Sequence, residues 1–215
     1  MLRFYDFHES GNGYKVRLLL SHLGASSPHV AGGVERIEMD ILAGETRTPE
    51  YLALNPNGRI PLLVFEDGRT LAESNAILYY LAQGTAYWPA DPFEQAQVLQ
   101  WMFFEQYSHE PYIATVRFWT FAGELEAHAH ELPERRRRGE AALDVMEGHL
   151  AERRFFVGDR YSIADIALYA YTHVAHEGDY DLSGRPNVLD WLARVAGQKD
   201  HVELEAVAPG RAPTP

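Results

Sequence analysis

Two short polar groups hold the residues whose type and spacing could do chemistry: Ser10-Gly11-Asn12-Gly13, and Glu73-Ser74 ahead of an apolar run. Each stands where a helix is expected to begin. A helix start carries unpaired N–H groups and the positive end of the helix dipole, so it suits a carboxylate or other anion. A plain capping role is the alternative for Ser10, Asn12, Glu73 and Ser74. The chain has no cysteine, so any sulfur chemistry must arrive with a ligand. Its ten histidines include no His-Glu-x-x-His, and His128-x-His130 is an isolated pair in a polar stretch, so no metal is expected. Ser10 lies in no G-x-S-x-G elbow, which disfavours a serine hydrolase.

Stepping from these residues to the elements that must hold them, the aromatic-rich residues 2–7 predict a strand that the Ser-Gly-Asn-Gly group ends. Val16, Leu19, Leu20 and Leu23 then recur at helical spacing, and Gly24 is placed to stop the helix. Val34, Ile37 and Met39 against Glu35, Glu38 and Asp40 predict a second strand, with one slip at Arg36. After the turn group Asn55-Pro56-Asn57-Gly58, the apolar run 60–65 and the segment Arg69-Thr70-Leu71 flank Asp67-Gly68 and predict a hairpin. A helix opens at Glu73-Ser74-Asn75 and Gly84 closes it.

Beyond residues 84–91, read as a linker for the prolines at 89 and 92 and the change of pattern, no strand is expected. A long apolar and aromatic segment at 93–122 must bend near Pro111, and further helices are expected over 133–153, 163–176 and 188–198. Ser162 and Asp165 form a capping box with Tyr161 and Ile166 as its hydrophobic staple, a folding device and not a site. The expected domains are 1–83 and 92–205, with a loose tail at 206–215. A net charge of −12 argues against nucleic acid, and Arg135 to Arg138 lie among glutamates as a solvated helix face. No window approaches the apolar length of a membrane span, and residues 1–7 do not resemble a secretory leader, so a cytoplasmic protein is the default.

The order and spacing of Ser10-Gly11-Asn12, Asn55-Pro56-Asn57-Gly58-Arg59-Ile60-Pro61, Glu73-Ser74-Asn75-Ala76-Ile77 and Ser162-Ile163-Ala164-Asp165 resemble the cytosolic glutathione S-transferases over nearly the whole chain. The beta-, theta- and nu-like bacterial branches are the most similar. The resemblance implies a thioredoxin-like βαβαββα domain followed by an all-helical domain, a two-fold homodimer, and glutathione as co-substrate.

It also implies roles residue by residue. Pro61 would follow a cis peptide bond that lets Ile60 pair with the extended ligand through its main chain. Ser74 would bind the γ-glutamyl carboxylate, Glu73 would face the ligand's amino group, and Arg59 would reach the glycyl carboxylate. Ser10 or Asn12 would donate to the sulfur and favour the thiolate, with Tyr5 as the rival donor. Tyr107, Tyr112 and Arg117 would lie nearest a small hydrophobic electrophile, most other aromatics of that region being core. The activity implied is conjugation of the thiol with that electrophile, as in detoxification. The alternatives are a glutathione-dependent disulfide reductase, peroxidase or isomerase on the same site, or a non-catalytic binding protein.

Overall fold

The computed structural model describes residues 1–24 and 27–204, so the expected tail at 206–215 lies outside the described residues. The described residues divide into two compact units, the first made of residues 1–85 with 200–204, the second of residues 86–199.

In the first unit, β1 (Leu2–Asp6) leads to α1 (Gly11–Leu23), β2 (Val34–Glu38), a 3-10 turn (Glu45–Arg47), α2 (Pro49–Leu54), the hairpin β3 (Leu62–Val64) and β4 (Thr70–Ala72), and α3 (Ser74–Ala82). The strand order is β2-β1-β3-β4, with β1 parallel to β2 and antiparallel to β3. Successive strand residues face opposite sides. Tyr5, Ile37, Leu62 and Val64 pack with Met39, Tyr51 and Leu54 beneath α2. Phe4 and Asp6 face the other way, and a side chain added at Gly13 of α1 would strike the Asp6 carboxylate. That face therefore carries α1, against which α3 packs. This is the thioredoxin-like fold.

The slip at Arg36 in the β2 alternation has a physical reason. Arg36 Nε donates to the buried carboxylate of Asp6 at 2.8 Å, so the helix-facing side of an edge strand spends one position on a charge. The helix α2, to which no residues are assigned from the sequence alone, is capped by Thr48, whose hydroxyl accepts from Tyr51 N at 3.3 Å, with Pro49 in its first turn. The chain also returns to this unit near its end. Tyr14, fully buried, donates its hydroxyl hydrogen to Val202 O at 2.7 Å, and Ser21 Oγ donates to Asp200 O at 2.7 Å.

The second unit is helical: α4 (Pro92–Phe104), a π-helical turn (Glu105–His109), α5 (Glu110–Ala122), α6 (Leu132–Leu150), α7 (Ile163–Thr172) and α8 (Pro186–Ala196). The bend expected near Pro111 is that π turn, which widens the helix just before the proline enters the first turn of α5. Every residue of α7 is buried, so this helix forms the centre of the unit. Its capping box is present as expected, Asp165 Oδ2 accepting from Ser162 N at 2.9 Å. Asp165 does more than close its own helix, because Oδ1 also accepts from Phe156 N at 3.1 Å and from Trp191 Nε1 at 3.0 Å. Among the described residues no helix is long and apolar enough to cross a membrane.

Candidate functional site

The sheet register gathers the candidate residues of the first unit. Tyr5 pairs with Leu62 and Leu62 with Ala72, so the loop after β1, the Ile60-Pro61 segment before β3 and Glu73 after β4 all lie at one end of the sheet. Ser10 follows the first of these strands and caps α1: its Oγ accepts from Gly13 N at 3.1 Å. The loop bearing it is held from both sides. Arg17 reaches back to pair with Asp6 and donates to His8 O at 2.6 Å, while Glu38 Oε1 accepts from His8 N at 2.7 Å. Burial pushes the Asp6 carboxyl up against the pull of Arg17 and Arg36. At Glu38 burial also acts upward, but the His8 N–H and Arg36 outweigh it and hold the carboxyl below its usual range.

The peptide bond between Ile60 and Pro61 is cis. Its approach is fixed by two donors to Arg59 O, from Tyr51 Oη at 2.7 Å and Asn55 Nδ2 at 2.8 Å, which leaves the exposed Arg59 side chain as the free-standing part of the residue. Burial pushes the Tyr51 phenol up to about 12, so it serves as a neutral donor. Tyr5 has its ring edge-to-face with Tyr51 at 5.7 Å, on the sheet face opposite α1 and Ser10.

Glu73 precedes α3 with φ 69° and ψ 114°, a conformation costly for a residue with a Cβ. It makes no side-chain cap, and strain of this kind gathers where a ligand rather than the helix needs the residue. Ser74, buried in the first turn of α3, donates to Asn12 Oδ1 at 2.8 Å. The two helix starts are thus tied to one another. Sequence reading missed the third member of this tie. Lys15 is fully buried and its Nζ donates to Asn12 Oδ1 at 2.9 Å and to Ser74 Oγ at 3.4 Å. Because the only hydroxyl hydrogen of Ser74 is turned to Asn12, a carboxylate arriving at α3 would meet main-chain N–H groups first, or draw that hydrogen away.

The three candidates of the helical unit are not brought onto one face. Tyr112 and Arg117 stand about 140° apart around α5 at roughly 100° per residue. Tyr107 is 81% exposed on the π turn. Tyr112 Oη accepts from Arg138 Nη1 at 2.8 Å, and buried Arg117 donates to Glu177 Oε2 at 2.6 Å. The π turn also buries Glu105 and His109, which sequence reading did not single out. Thr172 gives its hydroxyl hydrogen to Leu168 O at 2.7 Å, so at 2.9 Å it must accept from His109 Nε2, which fixes a proton on that nitrogen. Among the described residues no group of three or more His, Asp or Glu is placed to hold a metal ion.

The chain is thus a thioredoxin-like unit with two joined helix starts beside a cis-proline, continued by a helical unit. Comparison gives the family. The model of the glutathione S-transferase N-terminal domain matches residues 1–83 and that of the C-terminal domain residues 125–194. A glutathione S-transferase of Pseudomonas fluorescens, solved by crystallography, is 49% identical with a TM-score of 0.88, covering 94% of this chain and 98% of its own. Maleylacetoacetate isomerase of Rhizobium meliloti is 32% identical over 200 residues, 90% of each chain. The structure of Ure2p in complex with glutathione is 26% identical with a TM-score of 0.80, covering 93% of this chain and 95% of that one. The chain belongs to the glutathione S-transferase family.

Proposed function

We propose that the chain binds glutathione in its thioredoxin-like unit, favours the thiolate, and transfers it to a small hydrophobic electrophile. The observation that carries this reading is the joining of the α1 and α3 starts by Ser74 and Asn12 at the same sheet end as the cis Ile60-Pro61 bond. That end offers in one place what an extended peptide thiol requires. Main-chain groups of Ile60 face a strand-like ligand, the start of α3 attracts its γ-glutamyl carboxylate, and Glu73 offers a countercharge for its amino group. Arg59 is exposed and long enough to take the glycyl carboxylate. Ser10 and Asn12 stand at the mouth of α1, where a hydroxyl, an amide and the helix dipole all favour an anion at sulfur. Most of the rate then comes from holding two reactants together. Tyr107, Tyr112 and Arg117 are kept as candidates for contact with the electrophile, and two-fold pairing of cytoplasmic copies completes the reading.

Isomerisation by the same activated thiol is the second reading, favoured by the likeness to maleylacetoacetate isomerase. Both are tested together. Titration calorimetry with reduced glutathione should saturate, and turnover with an aromatic chloride should exceed that with maleylacetoacetate or a small disulfide. The Ser10→Ala variant should lose about 1 kcal/mol of stability with its helix cap, yet slow conjugation by roughly a hundredfold. An unchanged rate would remove Ser10 from the chemistry. Turnover confined to maleylacetoacetate would replace transfer with isomerisation.

A further inference from the structure

Lys15 is the buried charge that the reading above leaves unused. Its ammonium can only donate, so the Asn12 atom 2.9 Å away must be the amide oxygen, and Ser74 Oγ, at 2.8 Å from the same atom, must give its hydrogen to it. Two donors on one oxygen determine which way the Asn12 side chain is turned. Its N–H2 end therefore points away from Lys15. The contact from Lys15 to Ser74 Oγ, at 3.4 Å, is near the limit of a hydrogen bond, so of these two contacts the one to Asn12 is the stronger.

An ammonium on an amide oxygen also draws electron density toward that oxygen and makes the N–H2 group a stronger donor. The placement has a cost. A cation beside the positive ends of α1 and α3 is disfavoured by both dipoles. Lys15 belongs to the second turn of α1, and helical side chains lean toward the helix start, which brings a residue from beneath the site to its floor.

Resting on the glutathione reading, we propose that Lys15 is a positioning residue that acts through Asn12: it sets the amide with its oxygen inward and strengthens the N–H2 donor presented to the sulfur of bound glutathione. Lys15 itself need touch no ligand. Its removal is felt at the thiolate and in kcat, while the peptide end of the ligand keeps its main-chain partners.

The test uses three variants of the full chain, Lys15→Met, Asn12→Asp and the double variant, with S-methylglutathione as a probe that has no thiol to ionise. Asn12→Asp keeps an oxygen for Lys15 and Ser74 but has no N–H2, so it leaves the buried cation paired and remains informative if Lys15→Met fails to fold. The Lys15→Met variant should bind S-methylglutathione within about threefold of the parent chain. At one neutral pH the ultraviolet thiolate band of bound glutathione should shrink, and kcat should fall roughly tenfold to a hundredfold, the worth of a charge-assisted hydrogen bond. The double variant should be no slower than Asn12→Asp, because Lys15 acts only through the N–H2 group that Asn12→Asp has already removed. A thiolate band and kcat unchanged in Asn12→Asp, or effects that multiply in the double variant, would overturn the proposal. Failure of the parent chain to bind either peptide would instead overturn the glutathione reading beneath it, so the two failures are separable.

Discussion

At the scale of single residues, Glu73 holds a backbone conformation that its own side chain opposes, at φ 69°. Its carboxylate makes no cap hydrogen bond to the helix it precedes. Stability and binding should therefore part company at this position. The Glu73→Gly variant is expected to gain about 0.5 to 1 kcal/mol in urea unfolding, the strain removed exceeding the entropy a glycine adds. Its affinity for glutathione should fall roughly tenfold or more with loss of the countercharge. A variant both weaker in folding and unchanged in binding would show that the residue serves the fold. The type of Glu73 and its neighbours was legible in the sequence, because Glu-Ser-Asn before an apolar run marks a helix start. Its strain was not, since φ depends on how β4 meets α3. Lys15 was illegible for a different reason: a lysine between apolar neighbours on an amphipathic helix reads as solvated, and its burial beside Ser74 brings in a residue 59 positions further along the chain.

At the scale of elements, α7 shows how a local motif becomes a hub. The Ser162 to Asp165 spacing was enough to foresee the capping box, since both partners lie within one turn. The donors from Phe156 and Trp191 were beyond reach, because they arrive from a loop and from α8. Burial pushes the Asp165 carboxyl up to about 6, against the pull of its Trp191, Phe156 and Ser162 donors. The folded state thus takes up its proton more readily than the unfolded chain, and the contribution of this group to stability is greatest below pH 4 and declines as the pH rises toward 6. Asp165→Asn should be less stable throughout, because an amide nitrogen would confront the Ser162 N–H. The difference in unfolding free energy between the parent and this variant should narrow by on the order of 2 kcal/mol from pH 4 to pH 7. A gap independent of pH, followed by urea midpoints, would contradict that assignment. The βαβαββα order implied a helix where α2 lies, but α2 is too short to display a period that would assign its residues, and the bend expected near Pro111 did not disclose its π form.

At the scale of the whole molecule, the two-part architecture was readable because strands and helices are segregated along the chain. Large apolar side chains remain exposed on and beyond α4, Phe93 at 71%, Phe103 at 68% and Tyr107 at 81%. The proposed two-fold pairing predicts a light-scattering mass near twice 24.4 kDa, and a mass near the single value at micromolar concentration would exclude it.

The hydrogen bonds from Tyr14 to Val202 and from Ser21 to Asp200 carry a consequence for how the chain can be cut. The thioredoxin-like unit is bipartite in sequence, its last stitches supplied by residues synthesised after the whole helical unit. A fragment ending at Thr85 is therefore an incomplete fold, lacking the carbonyls that satisfy two hydroxyls of α1. On the ribosome, the first unit to begin folding is the last to be finished.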